Sequence, residues 1–185
     1  KVFIMSYKKN GKWNKTLSPV KKRFKEKGFD VSVIRGYYLP EHPEIKKTHL
    51  VYRNVLDKVI PKAKKYLKEN PKANGFYIAE DDAWLNKSID DNYLKKKIKS
   101  KKNLLRVGYQ KVLKEDKLPR GYFCVGAQLT WIPRSQMVKF EKSMKTTQPQ
   151  HFNGFLSKTK KINIKLMKQD MRNKIVNELQ HMSFT

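Results

Sequence analysis

The chain has 185 residues, 43 of them Lys or Arg against 16 Asp or Glu, which gives a formal charge of +27. Apolar residues make up 38% and aromatic residues 11%, and they come in runs; this excludes a disordered basic tail, because disorder needs low hydrophobicity as well as high charge. No apolar run nears the roughly 20 residues that span a bilayer, and the length suits a single domain covering residues 1–185.

Val2 to Met5 is a short continuous apolar run and reads as a buried parallel strand. Lys8 to Lys15 reads as a Gly- and Lys-rich loop. Ser18-Pro19 then looks like a helix start, with Ser18 as N-cap and Pro19 in the first turn. Val20 and Phe24 share a face, and Gly28 closes the helix. Val31 to Ile34 is a second strand, and Tyr37 to Pro43 a loop with two prolines.

A long helical pattern runs from Thr48 to Lys68 on the stripe Val51, Val55, Leu56, Val59 and Ile60, with Pro61 expected to kink or split it. Asn70-Pro71 and Asn74-Gly75 signal turns. Gly75 to Ala79 is a third strand running straight into Glu80-Asp81-Asp82. Strand, helix, strand, helix, strand implies a mostly parallel central sheet flanked by helices, a Rossmann-like α/β fold. In such sheets ligands bind beyond the carboxyl ends of the strands, which is where the acidic triplet lies.

The second half, residues 83–185, is organised differently. Lys95 to Lys102 is a basic run on a loop or solvated helix face. Leu104 to Tyr109 and Tyr122 to Ile132 read as strands, with Gly126 as a bulge or close approach. Ser135 to Ser143 is a short helix, Gln148 to Phe155 an aromatic loop, and Ile164, Met167, Met171, Ile175 and Leu179 mark a closing amphipathic helix packed through its methionines.

The acidic triplet is the sharpest chemical feature. Three adjacent carboxylates repel one another unless a cation is present, and Mg²⁺ or Mn²⁺ takes one or two carboxylates together with substrate phosphates. The competing reading is a solvated turn or helix start. Trp84 and Trp131 can stack on a base or a sugar, or simply pack. Cys124 sits in an apolar strand as inert core. As the single cysteine it forms no internal disulfide, so a reducing, cytoplasmic setting is expected. Neither a P-loop nor a zinc-spaced Cys/His cluster is present.

The segment Gly-Phe-Tyr-Ile-Ala-Glu-Asp-Asp-Ala-Trp at 75–84 resembles the strand and acidic motif of GT-A glycosyltransferases. The likeness is to the group holding bacterial lipooligosaccharide and procollagen galactosyltransferases, glycosyltransferase family 25. Val2 to Met5 resembles that group's opening nucleotide-binding strand, Thr48-His49-Leu50 its Ser-His-Leu element, and Gly126 to Ser135 its small-residue strand before a short helix. The resemblance covers about residues 1–156. It implies a metal-dependent transfer of a sugar from a nucleotide sugar, most simply a UDP-sugar, to an acceptor hydroxyl. Asp82 would be the direct ligand of Mn²⁺ or Mg²⁺, with Asp81 and Glu80 as a ligand through water or a ribose contact. Asp81 and Asp82 would be the catalytic pair, and Ser6, Tyr7, Thr48, His49, Glu80 and Asp81 would contact the donor.

Two departures matter. Where the family carries a late aspartate, this chain has Gln150-His151-Phe152-Asn153-Gly154, so His151 stands as a metal or diphosphate contact and the catalytic base is unassigned. The opening loop also lacks the family's arginine, leaving Lys8, Lys9, Lys12 or Lys15 near phosphate.

The charge bears on the acceptor. Lys outnumbers Arg by 36 to 7; this bias either attracts a polyanion or reflects AT-rich coding, as in many viruses, with lysine acting as a solubiliser. The first reading assigns Lys95, Lys96, Lys97, Lys99, Lys101 and Lys102 to a polyanionic acceptor such as hydroxymethylated DNA, beside glycan and protein acceptors, and a viral protein would work in the host cytoplasm. The alternatives are a basic nucleic-acid-binding protein, which leaves the triplet unexplained, and a metal-dependent nuclease, which needs further acids.

Overall fold

The computed structural model describes residues 1–83, 85, 90–98, 104–111, 124–150, 152 and 164–166. Its centre is a six-stranded sheet built from β1 (Val2–Ser6), β4 (Val31–Arg35), β5 (Gly75–Glu80), β6 (Leu104–Lys111), β7 (Cys124–Pro133) and β8 (Ile164–Leu166), ordered β4-β1-β5-β7-β6-β8. The pairs β1–β4, β1–β5 and β6–β8 are parallel, whereas β7 runs antiparallel to both β5 and β6. The expected mostly parallel α/β sheet with flanking helices is therefore what forms.

Strand alternation divides the core between the two faces of the sheet. Phe3, Met5, Phe76 and Ile78 face one way, against Tyr52, Val55, Val59 and Ile60 of the long helix and Met137, Phe140 and Met144 of α5 (Met137–Thr146). Val2, Ile4, Tyr77 and Ala79 face the other way, against Leu17, Val20 and Phe24 of α1 (Leu17–Glu26) and Leu94 of α4 (Asp91–Lys97). Each fully buried Leu, Ile or Phe contributes about 1.5–3 kcal/mol, so neither face is dispensable. Gly75 is required by close approach: a Cβ there would lie 2.3 Å from the Ile132 carbonyl oxygen, on the neighbouring β7.

Several local expectations change. Lys8 to Lys15 is a hairpin rather than an open loop, with β2 (Lys8–Lys9) paired to β3 (Lys12–Trp13). The turn residues Asn10 and Gly11 have φ of 50° and 76°, both left-handed, as the tight hairpin turn demands. Helix α1 starts at Leu17 with Thr16 at its cap and no capping side-chain bond, so Ser18 is not the cap. Gly28, at φ 80°, closes that helix as expected.

The long helix does not break at Pro61. It runs as α2 (Leu50–Asn54), a π-helical stretch (Val55–Val59) and α3 (Ile60–Glu69). Proline lacks an N–H and crowds the carbonyl four residues back, and widening the preceding turn accommodates both effects without ending the helix. The irregular β6–β7 register lies between Arg106 and Gln110, opposite Val125 to Thr130, and so includes Gly126. Where the closing helix was expected to begin, Ile164–Leu166 is strand β8; the remainder of that expected helix lies outside the described residues. No helix among the described residues is long and apolar enough to cross a membrane.

Arg134 ties the two halves together. Its Nε donates to the Ala73 carbonyl at 2.7 Å, and its Nη2 to the Leu67 and Asn70 carbonyls at 2.8 and 2.6 Å. These carbonyls end α3 and the turn behind it, where a cation also meets the negative end of the helix dipole. Arg134→Ala is expected to lower stability by about 1–3 kcal/mol. Arg134→Lys should recover only part of that loss, since one ammonium replaces a planar fork. Urea denaturation of the three proteins measures both effects.

Candidate active site

Parallel strands β4, β1 and β5 end at the same edge of the sheet. The chain passes from β1 to β4 on one side and then crosses to β5 on the other, so β1 and β5 flank the point where the strand order reverses. Ligand crevices in open α/β sheets form there. The register places Met5 opposite Glu80, which brings Ser6 beside Asp81 one step further on.

The Glu80 carbonyl accepts from the Ala83 N–H at 3.1 Å, closing a turn with Asp81 and Asp82 at its two corners. The Ser6 hydroxyl donates to Asp81 Oδ2 at 2.5 Å, and Asn14 Nδ2 donates to the same oxygen at 2.9 Å. Asp81 is thus held by β1 and by the base of the hairpin, where the Asn14 N–H also donates to the Tyr7 carbonyl at 3.1 Å. Asp82 is exposed at the surface, yet its carboxyl is pushed above the usual range. Loss of solvation to the surrounding protein is the larger cause and repulsion by Asp81 the second.

A pocket of about 400 Å³ opens beside this turn, lined by Tyr7, Lys9, Lys12, Trp13, Asn14 and Lys15. Trp13 is 40% exposed, and Lys8 Nζ sits 4.9 Å from its ring centre. Tyr7 stacks on Tyr38, centroids 5.3 Å apart and planes 11° from parallel.

Tyr38 is itself positioned by a buried pin. The Gly36 N–H donates to the Ser6 carbonyl at 2.6 Å. The Tyr37 N–H donates to Asn54 Oδ1 at 2.8 Å, and Asn54 is only 7% exposed. A Cβ on Gly36 would lie 2.7 Å from Asn54 Nδ2. Helix α2 therefore fixes the segment that leaves β4, and through it the backbone of Ser6.

The structure brings Ser6, Tyr7, Asp81 and Asp82 together, with Glu80 at the strand end. Thr48 is exposed and His49 half-buried, in a 3-10 turn (Lys47–His49) ahead of α2. Among the described residues, no hydrogen bond or ion pair joins either one to the acidic turn. Lys95 and Lys96 lie on α4, whose Asp91 N–H donates to the Lys27 carbonyl at 3.0 Å. Lys27 precedes the start of β4, so α4 sits at the amino edge of the sheet, opposite the acidic turn. Lys95 also pairs with Asp91. The Lys97 side chain, Lys99, Lys101, Lys102, His151 and Trp84 lie outside the described residues. Trp131 is buried in the core beside Tyr77.

Among the described residues, no group of three His, Cys, Asp or Glu side chains converges as a metal cage. Two neighbouring carboxylates still suit Mg²⁺ or Mn²⁺, which rely on substrate phosphates and water for the rest of their shell. The Asp82 carboxyl is raised by lost solvation first and by repulsion from Asp81 second, and a cation would relieve the second of these.

No protein-family model matches the sequence, and no curated protein matches it significantly. The crystal structure of a glycosyltransferase involved in the glycosylation of the major capsid of PBCV-1 is similar in fold, with a TM-score of 0.56. That match spans 90% of this chain and 81% of that one at 10% identity. At such identity the likeness establishes a shared fold.

The pin yields a coupled prediction. Gly36→Ala and Asn54→Ala should each destabilise the protein, the first by a clash and the second by an unpaired buried N–H costing about 1–3 kcal/mol. The double variant should lose less than the sum, because removing the Asn54 amide makes room for the new methyl. Denaturant unfolding of all four proteins measures the coupling.

Proposed function

We propose that this chain is a divalent-metal-dependent GT-A glycosyltransferase that moves a sugar from a nucleotide donor, a UDP-sugar in the simplest case, to an acceptor hydroxyl. The observation that carries this reading is the Ser6–Asp81 bond, which holds one carboxylate at the strand-order reversal with a second carboxylate beside it. The fold shared with a glycosyltransferase supports it, and so does the resemblance of residues 75–84 to the family 25 acidic motif.

In such a transfer the bond from the anomeric carbon to the diphosphate oxygen breaks. The acceptor oxygen bonds to that carbon, and the acceptor proton leaves to a base. Asp81 and Asp82 are the residues that would hold Mn²⁺ or Mg²⁺, and the cation supplies neutralisation of the leaving diphosphate. The hairpin places Lys9, Lys12 and Lys15 around the adjoining pocket, where their charges would stabilise the same leaving group. Tyr7 walls the pocket on the side of Ser6. Glycan, protein and hydroxymethylated DNA are all acceptors compatible with a hydroxyl nucleophile.

Incubation with UDP-sugars and Mn²⁺ should release UDP, and excess chelator should abolish that release; release unaffected by chelator would remove the metal from the proposal. Asp82→Asn should lose metal-dependent UDP binding at least about tenfold while the fold survives, since the side chain is exposed and forms no core contact. Because the Asp82 carboxyl titrates above the usual range, metal-dependent binding should fade, as pH falls, at a higher pH than an ordinary aspartate would give. Titration calorimetry across pH measures this.

A further inference from the structure

Residues 1–25 contain eight Lys, one Arg and no acid. In the fold these residues form β1, the hairpin and most of α1, so the charge lies along one path. It begins at the pocket beside Asp81, where Lys9, Lys12 and Lys15 are exposed. It continues onto α1, where Lys21 and Lys25 are exposed one turn apart. Helix α1 follows the hairpin directly, with the Leu17 N–H donating to the Asn14 carbonyl at 3.1 Å. It then carries the charge about 15 Å along the sheet.

None of Lys9, Lys12, Lys15, Lys21 or Lys25 has an ion-pair partner among the described residues. On α1 itself Lys22 pairs with Glu26. On the opposite face of the sheet Glu141 pairs with both Lys64 and Lys145, and Glu69 with Lys65, beside other exposed lysines. The un-neutralised path also carries Trp13, 40% exposed, set among the lysines.

We propose that this path, Lys9, Lys12, Trp13, Lys15, Lys21 and Lys25, binds single-stranded nucleic acid. A row of unpaired cations tracks a phosphate backbone, and an exposed aromatic side chain gives an unstacked base a platform, the two ingredients of sequence-tolerant single-strand binding. Lysine in place of arginine suits a backbone contact without base readout. Lys9, Lys12 and Lys15 also line the pocket given above to the donor diphosphate, but the test reads nucleic-acid binding directly and needs neither metal nor transferase activity. A failure of either proposal therefore leaves the other standing.

The experiment uses the whole chain and a fluorescein-labelled 20-mer of oligo(dT), titrated by anisotropy between 50 and 300 mM NaCl. A strip variant converts Lys9, Lys12, Lys15, Lys21 and Lys25 to Gln. A charge-matched control converts Lys62, Lys68, Lys72, Lys139 and Lys142 to Gln; these are also exposed, and α3 and α5 carry four of them on the other face. Circular dichroism confirms that each variant folds. The strip variant should bind at least about tenfold more weakly than wild type, with a log–log salt slope smaller by about 3, since each phosphate contact on single strands contributes about 0.7. The control should stay within about threefold of wild type. Trp13→Ala alone should weaken oligo(dT) binding at least about fivefold and leave binding to labelled heparin unchanged. Equal losses in strip and control variants would show only the attraction expected of net charge, and would overturn the proposal. Loss in the strip variant with Trp13→Ala unaffected would also overturn it, in favour of a site for acidic polysaccharide.

Discussion

The Ser6–Asp81 hydrogen bond is the contact on which the architecture of the site turns. It spans neighbouring parallel strands at a place where the chain reverses its direction across the sheet, and it joins a hydroxyl at the end of β1 to a carboxylate in the turn after β5. An aspartate in such a turn ordinarily moves with solvent. Here two donors on one oxygen orient it, and the neighbouring Asp82 takes no hydrogen bond from Ser6 or Asn14 and has its carboxyl raised by lost solvation first and by Asp81 second. A carboxylate pair arranged this way is ready for a cation that brings its own phosphate ligands.

The supports of that bond come from three directions. Backbone pairing with β4 and β5 fixes β1. The hairpin base, through Asn14, fixes the far side of Asp81. The Asn54–Gly36 contact holds the β4 exit and, through the Gly36 N–H, the Ser6 carbonyl. The helix that supplies Asn54 also contains the π-helical stretch before Pro61. Widened turns of this kind are frequent at functional sites, and here the widening allows one continuous helix to reach from the β4 exit loop to the base of β5.

Much of the site could be read in the residues themselves. An apolar run ending in Glu80-Asp81-Asp82 located the carboxylates, and the alternation of strands with helices placed them at the ligand-binding edge. Asn10-Gly11 was a readable hairpin signal, although the lysine density around it reads first as a loop. Asn14, Gly36 and Asn54 carried no signal, because their roles are contacts over 17 or more positions along the chain. The basic run at Lys95 shows the converse. Its residues read as an acceptor surface by density alone, but Lys95 and Lys96 lie on a helix docked at the amino edge, where Asp91 pairs with one of them.

What the sequence determined by itself was local and periodic: which segments are apolar enough to be strands, where glycine and proline interrupt them, where acids concentrate, and that the first 25 residues carry no negative charge. Those properties follow from side-chain chemistry and spacing alone. Only the tertiary structure decided which of these features meet. It ran β7 antiparallel, put Ser6 and Asn14 on one oxygen of Asp81, and separated Lys95 and Lys96 from the acidic turn by the height of the sheet. It also folded the acid-free opening stretch into a hairpin and a helix on which Lys9, Lys12, Lys15, Lys21 and Lys25 are exposed. Pairing register and helix docking are settled by the packing of both faces of the sheet at once, a constraint that no single segment contains.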